Sequence, residues 1–187
     1  MELALIIVLI LVVLGVVGYV IGLYNGLQRK RIAAKQAWSD IDVQLKRRHD
    51  LIPNLVNTVK GYASHERETL ESVIEARNQA ANAGDSVAQQ AEKENMLTQT
   101  LGKLFALAEA YPDLKANQNF MQLQEELTST ENKIGFARQH YNRSVGQFNE
   151  STKVFPSNIV ANMFNFTRME FFEIEDPSHR ETPQVQF

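Results

Sequence analysis

Cysteine is absent from this 187-residue chain, and proline (5), glycine (9) and tryptophan (1) are scarce. Without a thiol there is no CxxC redox pair and no side chain to which a lipid could be attached. The absence also fits a reducing compartment. Glycine never gathers into a phosphate-cradling loop, and no nucleophile elbow occurs. Basic residues do not alternate with aromatics as a nucleic-acid platform requires, so no nucleic-acid partner is expected. Strand-like alternation is missing, and no repeat of roughly 20–50 residues is visible. What remains is an all-α chain.

The widest gap is in charge. From Leu3 to Leu23 the chain reads LALIIVLILVVLGVVGYVIGL, without a charged side chain. At a rise of 1.5 Å per residue, about 20 apolar residues cross a hydrocarbon core roughly 30 Å thick. A cleavable signal peptide would carry positive charge ahead of a shorter apolar run and a small-x-small cleavage site. Here only Met1 and Glu2 precede the run, and Gly15 and Gly18 make no convincing cleavage site. The run is therefore read as an uncleaved transmembrane helix. Arg29, Lys30, Arg31 and Lys35 follow it, while no Lys or Arg precedes it. Short basic flanks stay in the cytoplasm, which predicts an external N-terminus and a cytoplasmic body at a plasma membrane. A periplasmic body is the alternative.

Net charge is only −3, but it is unevenly spread. Between Tyr24 and Lys60 eight Lys/Arg face three Asp, whereas from Met169 to Phe187 five acids face Arg180 alone. Anionic headgroups would attract the basic end, and Arg29, Lys30, Arg31, Lys35, Lys46, Arg47 and Arg48 are its candidate lipid or partner contacts. The acidic tail has the charge to pair with that end in the same chain or in a neighbour. Both are equally well read as ordinary solvated faces.

Between Asn25 and about Asn82 the apolar residues recur at helical spacing. Trp38, Ile41, Leu45, Ile52, Leu55, Val59 and Tyr62 form one stripe. Pro53 interrupts it, predicting a bend near residues 49–53, with Asp50 available to cap a restarted helix. Residues 83–86 mark the first clear turn, with Gly84 suited to the helix exit and Asp85 or Ser86 to the next N-cap. Leu97, Leu101, Leu104, Phe105, Ala108 and Tyr111 carry a second helix, ended by Pro112 and Asp113. In a third, Phe120, Leu127, Ile134, Tyr141 and Phe148 repeat every seven residues, accompanied by Leu123, Thr130 and Ala137. That period is a coiled-coil signal, and an antiparallel bundle uses the same geometry. The expected organisation is an anchor over 1–25, a helical bundle over 26–155, an aromatic-rich segment over 156–176 and a mobile acidic tail over 177–187. Ser157 is placed to cap a short helix in the aromatic segment. Phe155, Phe164, Phe166, Phe171 and Phe172 are too apolar a cluster to sit in water. They are candidates for packing on their own bundle, on the membrane, or on a neighbouring subunit.

These residues together resemble the LemA family of bacterial membrane proteins. The resemblance is carried by Tyr24-Asn25, by the run from Ala37 through Arg48, by Asp50-Leu51-Ile52-Pro53-Asn54-Leu55-Val56, and by Val59-Lys60-Gly61-Tyr62-Ala63 with His65-Glu66. Ala76-Arg77, Tyr141-Asn142, Phe155-Pro156-Ser157-Asn158 and the closing Pro183-Gln184-Val185-Gln186-Phe187 complete it. It implies an N-terminal anchor, an antiparallel helical bundle and no established enzymatic activity. It also implies association with membrane proteases or other membrane proteins, which makes an accessory or regulatory subunit the alternative to a self-assembling scaffold.

The residues themselves offer little chemistry. Lys46-Arg47-Arg48-His49-Asp50 has the cations for a phosphate or headgroup site, against an ordinary solvated face with a capping Asp. His65-Glu66 lacks the second histidine a zincin needs, since position 69 is Thr. Asp40 and Asp42 point apart on a helix and cannot act as a carboxylate pair. His140 and Tyr141 sit on the heptad helix as packing or interface residues, and Trp38 fits the buried stripe better than a ligand box. No catalytic residue, metal ligand or cofactor is expected. The leading expectation is a membrane-anchored helical scaffold that forms homo-oligomers.

Overall fold

A computed structural model of the chain describes residues 1–84 and 86–173, and every regular element among them is a helix. They are α1 (Glu2–Lys60), α2 (Arg67–Ala81), α3 (Val87–Ala108), α4 (Pro112–Lys115), α5 (Gln118–Ser151) and α6 (Ser157–Met163). The expected tail 177–187 and the candidate cap Asp85 lie outside the described residues. Two compact units divide the chain: residues 1–40 with 137–170, and residues 41–136 with 171–173. Both α1 and α5 contribute to each.

α1 is 59 residues long and contains Pro53, so the helix does not restart there and Asp50 caps nothing. Proline removes the N–H that would bond the carbonyl of residue 49. A donor arrives from α2, where Arg77 Nε donates to the His49 carbonyl oxygen at 3.2 Å. The acceptor that Pro53 strands is thereby satisfied.

The helix instead ends at Lys60, and the chain turns over residues 61–66, a break the sparse punctuation did not predict. Gly61 lowers the helical preference, and side chains on both flanks of the turn find partners outside it. Tyr62 Oη accepts from Asn117 Nδ2 at 2.9 Å, and Tyr111 Oη donates to Glu66 at 3.0 Å. Ala63, 1% exposed, fills the core beneath the turn. Tyr62 therefore leaves the stripe: it lies past the helix end and is 44% exposed.

At the next turn the punctuation acts as read. Gly84 adopts φ +71°, and Ser86 Oγ accepts from the Gln89 N–H as the N-cap of α3. α3 then ends at Ala108, so Tyr111 falls outside it, and Pro112, expected to end that helix, instead opens the single turn of α4. Asn117 then caps α5, its Oδ1 accepting from the Phe120 N–H at 3.0 Å.

The core of the second unit joins Ile52, Leu55 and Val59 of α1 with Val73 of α2, Leu97 and Leu104 of α3, Leu114 of α4 and Phe120 and Leu127 of α5. In the first unit Leu27 of α1, Phe148 of α5, Val160 and Ala161 of α6 and Phe166 form a smaller core, flanked by Val20, Leu23 and Tyr24. All five heptad residues of α5 are buried within the chain.

α6 ends in a Schellman arrangement. Asn165 takes the left-handed conformation at φ 53°. The Phe166 N–H bonds the Ala161 carbonyl at 2.9 Å, and the Asn165 N–H bonds that of Asn162 at 3.4 Å. The turn folds Phe166 back onto Ala161 in the core. Ser157, expected as the N-cap, does otherwise: position 156 is the cap, and Ser157 Oγ donates to the Ser151 carbonyl at 2.7 Å.

Two outcomes are expected from urea unfolding of the full chain. Asn165→Gly leaves the midpoint unchanged or raised, while Asn165→Val lowers stability by about 1–2 kcal/mol, because only the branched side chain clashes at positive φ. Arg77→Met costs about 1–3 kcal/mol by leaving the His49 carbonyl unsatisfied. In a Pro53→Ala background that cost largely disappears, since the helix regains its own N–H.

Candidate functional site

The stripe on α1 steps by seven residues from Leu45 to Ile52, and the position it passes over is occupied by Arg48. That guanidinium is 2% exposed. Glu94 of α3 meets it from a stripe otherwise made of Ala91, Leu97, Leu101, Leu104 and Ala108, and is also 2% exposed. Arg48 Nη2 is ion-paired with Glu94 Oε2, with the Glu94 carbonyl 3.3 Å away. Arg48 Nη1 donates to Glu131 of α5 at 2.6 Å and to Thr98 Oγ1 at 3.0 Å. The other Glu94 oxygen accepts from Gln90 Nε2 at 2.7 Å and lies 3.0 Å from His49 Nε2.

A buried ion pair stabilises only when its hydrogen bonds compensate for lost hydration. Burial pushes the Glu94 carboxyl up, but the His49 hydrogen bond and the Arg48 charge outweigh it and hold the group below the usual glutamate value of 4.5. Beside the pair lies a cavity of about 270 Å³ whose apolar wall is Leu101, Gly102, Phe105 and Leu127. Charge here is spent on charge, and the cluster has the construction of a structural lock joining α1, α3 and α5.

Arg48 is thus corrected from a surface lipid or partner contact to a core residue, because two carboxylates draw it inward. Lys46 is exposed, and Arg47 is half-exposed, 3.7 Å from Glu126. In the first unit Arg29, Lys30 and Lys35 are exposed and Arg31 is half-buried. Arg29 donates to the Asn25 carbonyl at 3.3 Å, and Lys30 reaches Ser151 Oγ. These four keep their place just beyond the apolar run.

The aromatic candidates divide. Phe166, 9% exposed, and Phe172, 1% exposed, are buried inside the chain and so are withdrawn as assembly contacts. Phe155, Phe164 and Phe171 remain exposed at 79%, 49% and 40%. Trp38 is half-buried and stacks obliquely on Tyr141, ring centroids 5.3 Å apart. Tyr141 donates to the Glu170 carbonyl at 2.8 Å, and burial, with the Glu170 charge adding to it, pushes its phenol up to about 12. It stays a neutral donor at any physiological pH.

His65 is exposed in the turn after α1, and Asp40 and Asp42 are exposed on α1. Among the described residues no three His, Cys, Asp or Glu side chains come close enough to hold a metal ion. Sequence reasoning passed over Glu94, Thr98 and Glu131. The signal for Glu94 was there, as a single acid on an otherwise apolar helical stripe.

An all-helical chain whose first helix is long and apolar enough to cross a membrane defines the class. Residues 37–187 match the model of the LemA family, and the chain belongs to that family. It is similar to Protein LemA of Metamycoplasma hominis, 26% identical over 83% of this chain and 71% of the relative. It is also similar to Magnetosome protein MamQ of Magnetospirillum gryphiswaldense, 24% identical over 87% of this chain and 67% of the relative. With Magnetosome protein MamQ 2 of Paramagnetospirillum magneticum the identity is 22% over 72% of this chain, which spans 59% of that relative's length.

Arg48→Met leaves Glu94 buried without its partner and is expected to cost about 3–5 kcal/mol in urea unfolding, most of it recovered in Arg48→Met/Glu94→Leu. A carboxyl held low in the folded state stabilises above its unfolded pKa and loses that contribution as pH falls through the folded value. The stability advantage of the native chain over Glu94→Gln should therefore shrink below pH 4.5, the ordinary glutamate value.

Proposed function

We propose that this protein is a membrane-anchored helical scaffold whose body presents an interaction surface beside the bilayer. The observation that carries the reading is α1 itself. Its residues from Leu3 to Tyr19 are exposed and uncharged, while Ile41, Leu45, Ile52 and Val59 of the same unbroken helix are core residues. One element thus serves as both span and body, so the anchor is part of the fold.

The short connections at 61–66, 82–86 and 109–117, the last containing the single turn of α4, support an antiparallel arrangement of α1, α2, α3 and α5, because neighbouring helices joined by few residues run in opposite directions. The heptad face of α5 is consumed within the chain, so self-association would use other apolar positions. Val43, 62% exposed on α1, and Phe136, 71% exposed on α5, are among the exposed apolar side chains that could serve it, beside Phe155, Phe164 and Phe171. The family relationship, and two relatives named as magnetosome proteins, accord with a membrane-associated helical protein.

Light scattering of the detergent-solubilised full chain, with the detergent mass subtracted, should give a multiple of 21.2 kDa. A strict monomer overturns the assembly reading. The basic residues after the span support a cytoplasmic body. Glu92→Cys, at an exposed position of α3, should resist an impermeant thiol reagent added to intact cells. Rapid labelling would put the body outside.

A further inference from the structure

From Val154 to Thr167 the chain reads VFPSNIVANMFNFT, fourteen residues without a charge, bounded by Lys153 and Arg168. Its inward side belongs to the small core: Val160, Ala161 and Phe166 pack with Leu27 and Phe148 and against Val20, Leu23 and Tyr24. Val20 and Leu23 are the last residues of the apolar run. Tyr24 meets the segment edge-on, its ring 4.9 Å from that of Phe164 and 5.6 Å from that of Phe166. The α6 segment is therefore clamped to the point where the span must leave the hydrocarbon.

Its outward side is apolar and uncovered. Phe155, Ile159 and Met163, four residues apart, are 79%, 53% and 64% exposed, with Phe164 beside them at 49%. In water this surface would be costly, since large apolar side chains gain about 1.5–3 kcal/mol each on burial. We propose that this face lies in the membrane interface, its apolar side chains inserted among the lipids that surround the end of the span. The inference rests on the reading of α1 as a membrane span. Proximity identifies the occupant: the segment that bears the exposed face packs through its other side on Val20 and Leu23, beside Ile21, which is 53% exposed at the end of the apolar run. The flanks fit as well, because Lys153 and Arg168 can reach the headgroups while their stems follow the apolar surface. Tyr24, with one polar end, suits the same depth. An amphipathic element of this kind lies within the headgroup and acyl boundary rather than crossing it.

The absence of cysteine makes the test direct. The full chain is reconstituted in phosphatidylcholine–phosphatidylglycerol vesicles with a nitroxide at one introduced cysteine: Val12→Cys in the span, Phe155→Cys or Ile159→Cys in the face, or Glu92→Cys on α3. Oxygen collects in the acyl region and a nickel chelate stays in water. The ratio of oxygen to nickel accessibility at positions 155 and 159 is expected to exceed that at position 92 several-fold. A ratio equal to that of position 92, with position 12 deep in the bilayer, overturns the proposal and leaves the anchor standing. Closure to both reagents with dipolar broadening between labels also overturns it, in favour of a second copy of the chain. A nickel-accessible position 12 would overturn the anchor and this proposal with it.

Discussion

Arg48 imposes a condition that the second unit must meet wherever its helices settle. It occupies a core position of α1, so its charge has to be matched inside the protein or the core does not form. Glu94 and Glu131 match it from α3 and α5; Thr98 adds a bond to the guanidinium, and Gln90 and His49 hold Glu94, while Arg48 Nε is left without a partner among the described residues. Apolar packing alone tolerates sliding between helices, since one leucine replaces another at small cost. A guanidinium aimed at a carboxylate does not slide. The lock thus supplies register to an interface whose adhesion comes from Leu97, Leu104, Leu127 and their neighbours.

The first unit is organised differently. Its described core is small and aromatic, and the segment after α5 is fastened by side-chain hydrogen bonds to backbone. Asn149 both donates to the Met169 carbonyl and accepts from the Met169 N–H, each at 2.9 Å. Tyr141 holds the next residue through its carbonyl. A segment without regular structure after Met163 is fixed because two residues of α5 satisfy its backbone.

The helical class, the heptad face of α5 and the capping role of Ser86 were legible because each depends on local pattern. Periodicity selects the buried face whichever partner covers it, and this is why Phe120, Leu127, Ile134, Tyr141 and Phe148 were identified before any partner was known. What was not legible depends on contacts distant in the chain. Pro53 leaves an acceptor without its helical donor, and the donor that replaces it, Arg77, comes from the following helix. Arg48 reads as one cation of a solvated run until Glu94, forty-six residues later, turns it inward. The end of α1 at Lys60 was not legible either, because Tyr62 and Glu66 in the turn find their partners in Asn117 and Tyr111, on either side of α4. The aromatic segment was identified as apolar, but which of its phenylalanines face inward is decided by the left-handed Asn165 and its turn.

The stranded carbonyl of His49 also gives this family a direction of drift. A lineage that first exchanges Pro53 for an ordinary helix former regains the backbone donor, and Arg77 is then free to wander. A lineage that loses Arg77 first passes through a chain with an orphaned acceptor, which selection would remove. The two positions are open to change in one order and closed in the other, so proline at the first should predict arginine at the second more strongly than the reverse.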